Sequence, residues 1–428
     1  MKNIVLGLTV LSCIIFLTSG CQTTSKEEKN TQLTILAEDS QQVRQNWIEP
    51  YQLVHPDVKI NILDLNTIIS KDEKKINDPI HAMVNIIKEN PIDIAFLRGP
   101  ELTTLVNENL LVELDPLMKQ DNFDFNNYAD IVKTMISVYG NGKTYGLAPF
   151  FNSFGLVYNK KIFSSLNIDP PSDHENWDDL VQKAEAISKR LETDGIYGLD
   201  LPQPDPFDAL GIFTYANELS LVQEDGNKMV VNTPSWKKVW GQVADLYSKK
   251  IVFTPMVAKK QGIGPNFGNN KVGMAIYDYS RIIQGGFNNK DEYGVASLPY
   301  FSDNKEGLNI TLFGLSGIIS NSTHIKESWD LLKFINSEGV AKVKSQNLPL
   351  LTSRSNIMHD DDFSNKFYDY KVTYNQRESI HVDTKKISKI AAVGSELLNQ
   401  TIQGRITTDE ALKEFEEKGQ EILVTPIK

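Results

Sequence analysis

The hydrophobic pattern of the N-terminal region alternates between strand-like and helix-like periods. Leu33-Thr34-Ile35-Leu36 reads as a short buried strand. Val43, Trp47, Tyr51 and Val54 then recur at helical spacing until Pro56 ends the run. Val58, Ile60 and Ile62 alternate with polar residues over a second strand, completing a strand-helix-strand unit of the kind that builds parallel sheets. Ile80 to Lys88 follows as a helix and Ile92 to Phe96 as the next strand. Further along, Asn176 caps a helix that places Trp177, Leu180, Val181, Ala184 and Ile187 on one face. The stretch Leu201 to Phe207 carries three prolines and reads as a loop. A capping box, Thr407 with Glu410, opens a closing amphipathic helix through Ala411, Leu412, Phe415 and Ile422. The fold class is α/β, without internal repeats.

The extreme N-terminus follows another rule. Lys2 precedes an apolar stretch, Ile4 to Leu17, and the small residues Thr18-Ser19-Gly20 then lead into Cys21. This is the layout of a secretory signal, too short for the roughly 20 residues a spanning helix needs, and no later segment approaches that length. Residues 1–20 are expected to be removed. Cys13 goes with them, which leaves Cys21 without an intramolecular partner, so the mature core must hold without a disulfide. The small-small-Cys ending resembles the lipobox of bacterial lipoproteins, with Leu17 one position further out than usual and Thr18 in its place. That resemblance implies acylation of Cys21 and anchoring in the lipid bilayer on the extracytoplasmic face. Residues 21–30, polar and rich in Thr, Ser, Lys and Glu, read as a flexible tether.

Length and charge narrow the function. At 428 residues the chain is long enough for two or three domains, and its 40% hydrophobic and 23% charged residues are ordinary for a globular protein. A net charge of -11, with no run of five basic residues, argues against nucleic acid as a partner. There is no Gly-rich phosphate loop, His-Glu-x-x-His, Gly-x-Ser-x-Gly or Cys pair, and His55, His81, His174, His324, His359 and His381 are scattered singly. No metal site, cofactor or catalytic residue is expected. Glu38 and Asp39 follow a strand end, where α/β folds place ligand sites, although adjacent acids there also serve as helix N-terminal anions. Rings lie beside hydrogen-bonding groups at Phe150 with Asn152 and Ser153, at Phe207, at Phe213 and Tyr215 with Asn217, and at Tyr277-Asp278-Tyr279. A sugar needs this mixture, since it offers C–H faces to rings and hydroxyls to polar groups, but aromatic residues in strands are also ordinary core residues.

An ordered series of segments carries a family resemblance. It runs from Asn141-Gly142-Lys143-Thr144-Tyr145-Gly146-Leu147-Ala148-Pro149 through Leu156-Val157-Tyr158-Asn159-Lys160-Lys161-Ile162-Phe163 to Asp169-Pro170-Pro171 before Trp177-Asp178-Asp179-Leu180. Pro91 to Phe96, Asn109 to Asp115, Lys271 to Ile276, Gly294 to Pro299 and Gly404 to Leu412 agree in order. From about Leu33 onward the chain resembles the family 1 extracellular solute-binding proteins of ABC importers, the group that includes maltose-binding protein.

The resemblance implies a type II periplasmic-binding-protein-like fold, two α/β lobes with a ligand cleft between them. The chain would cross near Pro149, Leu298 and Ser337, giving a first lobe of 31–149 plus 299–337 and a second of 150–298 plus 338–428. It implies a carbohydrate ligand, delivered to ABC importer permease subunits in the membrane. By position the cleft would be edged by Glu38, Asp39, Leu97, Arg98 and Glu101, by Phe150, Asn152 and Ser153 at the first crossing, and by Phe207, Phe213, Tyr215 and Asn217 on the second lobe. After Ile276 relatives carry a Gly-Ser/Pro-Trp segment; here Tyr277, Asp278, Tyr279, Ser280 and Arg281 stand instead, with Tyr279 as the substitute ring. Leu97 also replaces a ring found in some sugar-binding relatives. Arg98 reads either as a cleft group able to hold hydroxyls or a carboxylate, which would admit an acidic sugar, or as part of a surface ion pair. Two alternatives stay open: a polyamine or metal-ion ligand on the same fold, and a secreted glycoside hydrolase using Glu38 or Glu101 with Asp278.

Overall fold

The structure, a computed structural model, describes residues 32–71, 79–203, 205–223, 225–254, 270–287, 289, 291–300, 310–357, 362–369 and 382–425. The expected signal, tether and Cys21 lie outside the described residues. The strands are β1 (Gln32–Ala37), β2 (Lys59–Asp64), β3 (Ile94–Phe96), β4 (Phe150–Asn152), β5 (Phe154–Asn159), β6 (Tyr197–Asp200), β7 (Val272–Asp278), β8 (Tyr293–Ala296), β9 (Thr311–Phe313), β10 (Ser316–Ile318) and β11 (Leu351–Thr352). They form three sheets, in the orders β10-β3-β1-β2, β6-β7-β5-β8 and β11-β4-β9.

The first sheet is the parallel unit expected from the N-terminal pattern. β1 pairs in parallel with β2 and β3, with Ile35 opposite Ile62 and Ile94, while β10 adds antiparallel to β3. Leu33, Ile35, Leu36 and Ala37 are all buried, since helices cover both faces of such a sheet. Under it, Trp47, Ile48, Ile94, Leu331 and Leu332 share one core. The helix after β1 departs from the expected regular spacing: Arg44–Ile48 winds as a π turn before Glu49–Val54 resumes the α form. Pro50 has no N–H and its ring would crowd the carbonyl one turn back, so the wider turn fits just ahead of it. The extra residue rotates the rest of the helix about its axis; Val43, Trp47 and Tyr51 stay buried, but Val54 turns out to solvent.

In the second sheet β6 and β7 run parallel, and β5 runs antiparallel to both β7 and β8. The proline-rich stretch read as a loop ends earlier than expected. Asp205 accepts the N–H of Phe207 at 2.8 Å and caps a helix, Pro206–Ala216, with Pro206 at its start, where a missing N–H costs nothing.

The third sheet links the other two. β4 leads directly from the first sheet into β5, and β9 returns through Gly314 and Leu315 to β10. Gly314 has φ +72, and a Cβ there would lie 3.1 Å from the Trp47 ring and 3.2 Å from Pro149, so the turn requires glycine. Past the expected crossings at Leu298 and Ser337 the described residues have these neighbours. Tyr300 still donates its N–H to Glu175 O at 3.0 Å beside the second sheet. Residues 338–357 stay with the first: Lys344 Nζ reaches Asn46 Oδ1 at 3.4 Å, and Ala129 donates to Ser353 O at 2.8 Å. The buried guanidinium of Arg354 is the strongest tie, donating to Asn336 O at 2.9 and 2.7 Å and lying over Phe123 and Tyr128. The helix Asp362–Tyr368 then packs on β5 and β8.

Candidate functional site

Because β1, β2 and β3 run parallel, their C-terminal ends share one edge, and that edge is polar. Glu38 follows β1, Asp64 ends β2 and Arg98 stands just after β3. Arg98 donates from Nε and Nη2 to Glu101 Oε1 at 3.0 and 2.6 Å, and its Nη2 lies 3.1 Å from Glu38 Oε1. Glu101 takes the backbone N–H of Arg98 on its other oxygen at 2.8 Å. Glu101 is nearly inaccessible while the Arg98 side chain is 61% exposed. Of the expected cleft group, Glu38, Arg98 and Glu101 are therefore brought together, with Glu101 as the support that aims Arg98 rather than a surface for a ligand. Burial and the Glu101 charge push the Glu38 carboxyl up, against the pull of Arg98. Asp39 takes the other role open to it, capping the next turn through Gln42 N at 2.8 Å.

Asp64 belongs to the same edge and was not anticipated, although an acid directly after Ile62 and Leu63 at a strand end is the same signal as Glu38. Burial pushes its carboxyl up, but the N–H groups of Thr67 at 2.7 Å and Ser40 at 3.1 Å outweigh this and hold it at about 2.

The second sheet presents an answering edge at the ends of β6 and β7 and the start of β5. The Tyr277 hydroxyl donates to Asp200, and the Arg281 guanidinium lies over the Tyr277 ring at 3.7 Å, its Nη2 3.9 Å from Asp200 Oδ2. Burial drives the Asp200 carboxyl up to about 6, partly offset by Tyr277, Arg281 and the Leu201 N–H. Asn152 Nδ2 donates to Asp278 Oδ1 at 2.9 Å, and the same oxygen accepts Arg281 N at 3.0 Å, opening the helix Tyr279–Gln284. Asp200 too was missed, and the sequence signal is again an acid after an apolar strand, Gly198-Leu199-Asp200.

The linking sheet holds these edges on either side of itself. Leu97 N donates to Leu315 O at 2.8 Å, tying the end of β3 to the chain leaving β9. On the other side Tyr279 N donates to Ser153 O at 2.9 Å, just after β4. The ring of Tyr279 packs edge-on against Phe367 at 5.2 Å and is half-buried.

Several expected ligand groups are elsewhere. Phe150 is fully buried and stacked on Trp47 at 6.1 Å, and Phe213 is buried edge-on to Trp177 at 5.0 Å. Phe207 packs between Trp240 and Phe415. Asn217 caps its own helix by donating to Phe213 O at 2.8 Å, and Tyr215 sits half-buried in that helix. Ser153 is buried with its hydroxyl given to Phe367 O at 2.7 Å. Phe150, Phe207 and Phe213 thus pack against other rings on the inner face of β4 and of the helix Pro206–Ala216. Among the described residues no group of three or more His, Cys, Asp or Glu is placed to hold a metal ion, and no helix is long and apolar enough to cross a membrane.

The sequence profile of the bacterial extracellular solute-binding proteins matches residues 82–342. The chain belongs to that family. Among solved structures, this solute-binding protein is similar to the sugar-binding protein MalE of Xanthomonas citri, at 17% identity over 92% of this chain and 97% of that one, with TM-score 0.64. It is similar to a sugar transporter protein of Rhizobium etli in an open conformation, at 19% identity, 93% and 100% coverage and TM-score 0.60. The GacH receptor of Streptomyces glaucescens, solved unliganded and with acarbose, matches at 18% identity, 92% and 98% coverage and TM-score 0.60. No curated protein matches the chain in sequence. These structures share its two-lobe fold.

Proposed function

We propose that this protein captures a carbohydrate between its lobes, outside the cell membrane, and hands it unaltered to the permease subunits of an ABC importer. The observation that carries this reading is the pair of polar strand-end edges, Glu38–Arg98 with Asp64 on one lobe and Asn152–Asp278 with Arg281 on the other, flanking one short linking sheet. Each edge supplies half the contacts, so the closed form gains over the open one only when a ligand bridges both; hinge closure of this kind is the general behaviour of periplasmic binding proteins. Ligands reported in similar structures support the class: acarbose in the GacH receptor, α-D-tagatose in a Thermotoga lettingae protein and D-mannitol in an Agrobacterium vitis protein. Glu38, Arg98, Asn152, Asp278, Tyr279 and Arg281 are the ligand groups in this reading, with Glu101 and Asp200 supporting them. In this reading the first lobe comprises the described residues of 32–148 and 314–357, the second those of 153–300 and 362–425. Acylated Cys21 and the tether hold the pair of lobes at the outer face of the cell membrane.

A thermal-shift panel of mono- and oligosaccharides on the mature chain tests the class. A sugar at 100 times its Kd raises stability by about 2.7 kcal/mol, a clear increase in Tm. A broad panel that leaves Tm unchanged contradicts a carbohydrate ligand.

A further inference from the structure

The two guanidinium groups at the strand-end edges share one arrangement: each lies beside carboxylates and keeps N–H donors that no described residue accepts. The Arg281 guanidinium makes no hydrogen bond to any described residue; it is held by the stack on Tyr277 at 3.7 Å and by Asp200 at 3.9 Å, too far for a hydrogen bond. Its side chain is 39% exposed, so its N–H groups are open to a ligand. Across the linking sheet, Arg98 commits Nε and Nη2 to Glu101 and Glu38, while its Nη1 bonds no described residue.

Charge is another matter. Two carboxylates face Arg98, and Asp200 faces Arg281 with Asp278 at the adjoining helix start. A ligand carboxylate approaching either guanidinium would meet these acids at close range, and like-charge contacts of this kind disfavour binding. A hydroxyl or ring oxygen would accept the same N–H groups without that cost. Donors in excess with charge in balance is the pattern suited to a neutral ligand rich in oxygen acceptors.

We infer that Arg281, stacked on Tyr277, is the specificity-determining group of the second lobe, and that with Arg98 it selects a neutral saccharide over its uronic-acid counterpart. The inference rests on the carbohydrate reading above and argues against the acidic sugar that Arg98 alone would admit. The guanidinium over Tyr277 stands in the segment where relatives carry a tryptophan, beside Tyr279, and offers a sugar N–H donors there.

The test is calorimetric titration of the mature chain with matched pairs, glucose with glucuronate, galactose with galacturonate, and xylo-oligosaccharides with and without a uronic-acid unit, at low and high salt. The neutral member is expected to bind at least about tenfold more tightly, with the uronate gaining affinity as salt screens the acids. Arg281→Lys, which keeps the charge and loses the planar fork, is expected to weaken the neutral sugar by about ten- to a hundredfold while the ligand-free Tm stays near that of the parent. A uronate that binds equally or better, or an Arg281→Lys variant that binds the neutral sugar unchanged, overturns the inference and leaves the carbohydrate reading standing. Failure of every saccharide, neutral or acidic, overturns both.

Discussion

The Tyr277 hydroxyl donates to the Asp200 carboxylate while Arg281 covers the same tyrosine ring, so one aromatic side chain supports both an acid and a base at the edge of the second lobe. Asp200 is almost wholly buried, and burial holds its carboxyl up at about 6 against an ordinary 3.8.

A folded-state value above the unfolded one means that the folded protein binds the proton more tightly. This contribution to stability is complete below about pH 4 and is lost as pH rises through about 6. About two units of difference correspond to roughly 2 to 3 kcal/mol. Asp200→Asn removes the ionisation, so urea melts of this variant from pH 4 to 7 are expected to lose that part of the decline seen in the parent. An identical pH dependence in the two proteins contradicts the burial argument.

Glu101 and Arg98 separate support from contact. Glu101 is buried and takes both a backbone and a side-chain donor from Arg98, so Glu101→Ala is expected to destabilise by about 1 to 3 kcal/mol and to weaken ligand binding through the misplaced guanidinium. Arg98→Ala removes a mostly exposed group and is expected to weaken binding with a smaller change in denaturation midpoint. Chemical denaturation and titration of both variants check the split; equal stability losses would place Arg98 in the frame rather than the site.

Phe213 was expected in the cleft and is found in the core against Trp177. Phe213→Ala should then cost about 3 to 5 kcal/mol, and the milder Phe213→Leu should leave the Kd for sugar unchanged. A Phe213→Leu variant of normal stability and weakened sugar binding would return this ring to the site.

The parallel unit around β1 was legible because strand-like and helical runs alternate there, while a crossing near Pro149 came only from the family resemblance carried by the segment Asn141 to Pro149. Glu38 and Arg98 were legible as groups after strand ends. The aromatic residues misled for a physical reason: a ring beside an asparagine is the same sequence signal whether it faces sugar or core, and only helix phase, as at Phe207 and Phe213, decides which. Asp64 and Asp200 were missed because a single acid after a strand is inconspicuous until burial and its N–H or hydroxyl donors are known. The tie from Arg354 to Asn336 O was hidden because it is buried and spans the intervening helix Glu338–Lys344.

Closure of the lobes around sugar is tested most directly by small-angle X-ray scattering of the mature chain, alone and saturated with a saccharide that raises its Tm. The account predicts a smaller radius of gyration in the saturated sample, as the edges carrying Arg98 and Arg281 approach across the linking sheet. A radius unchanged by bound sugar would contradict it.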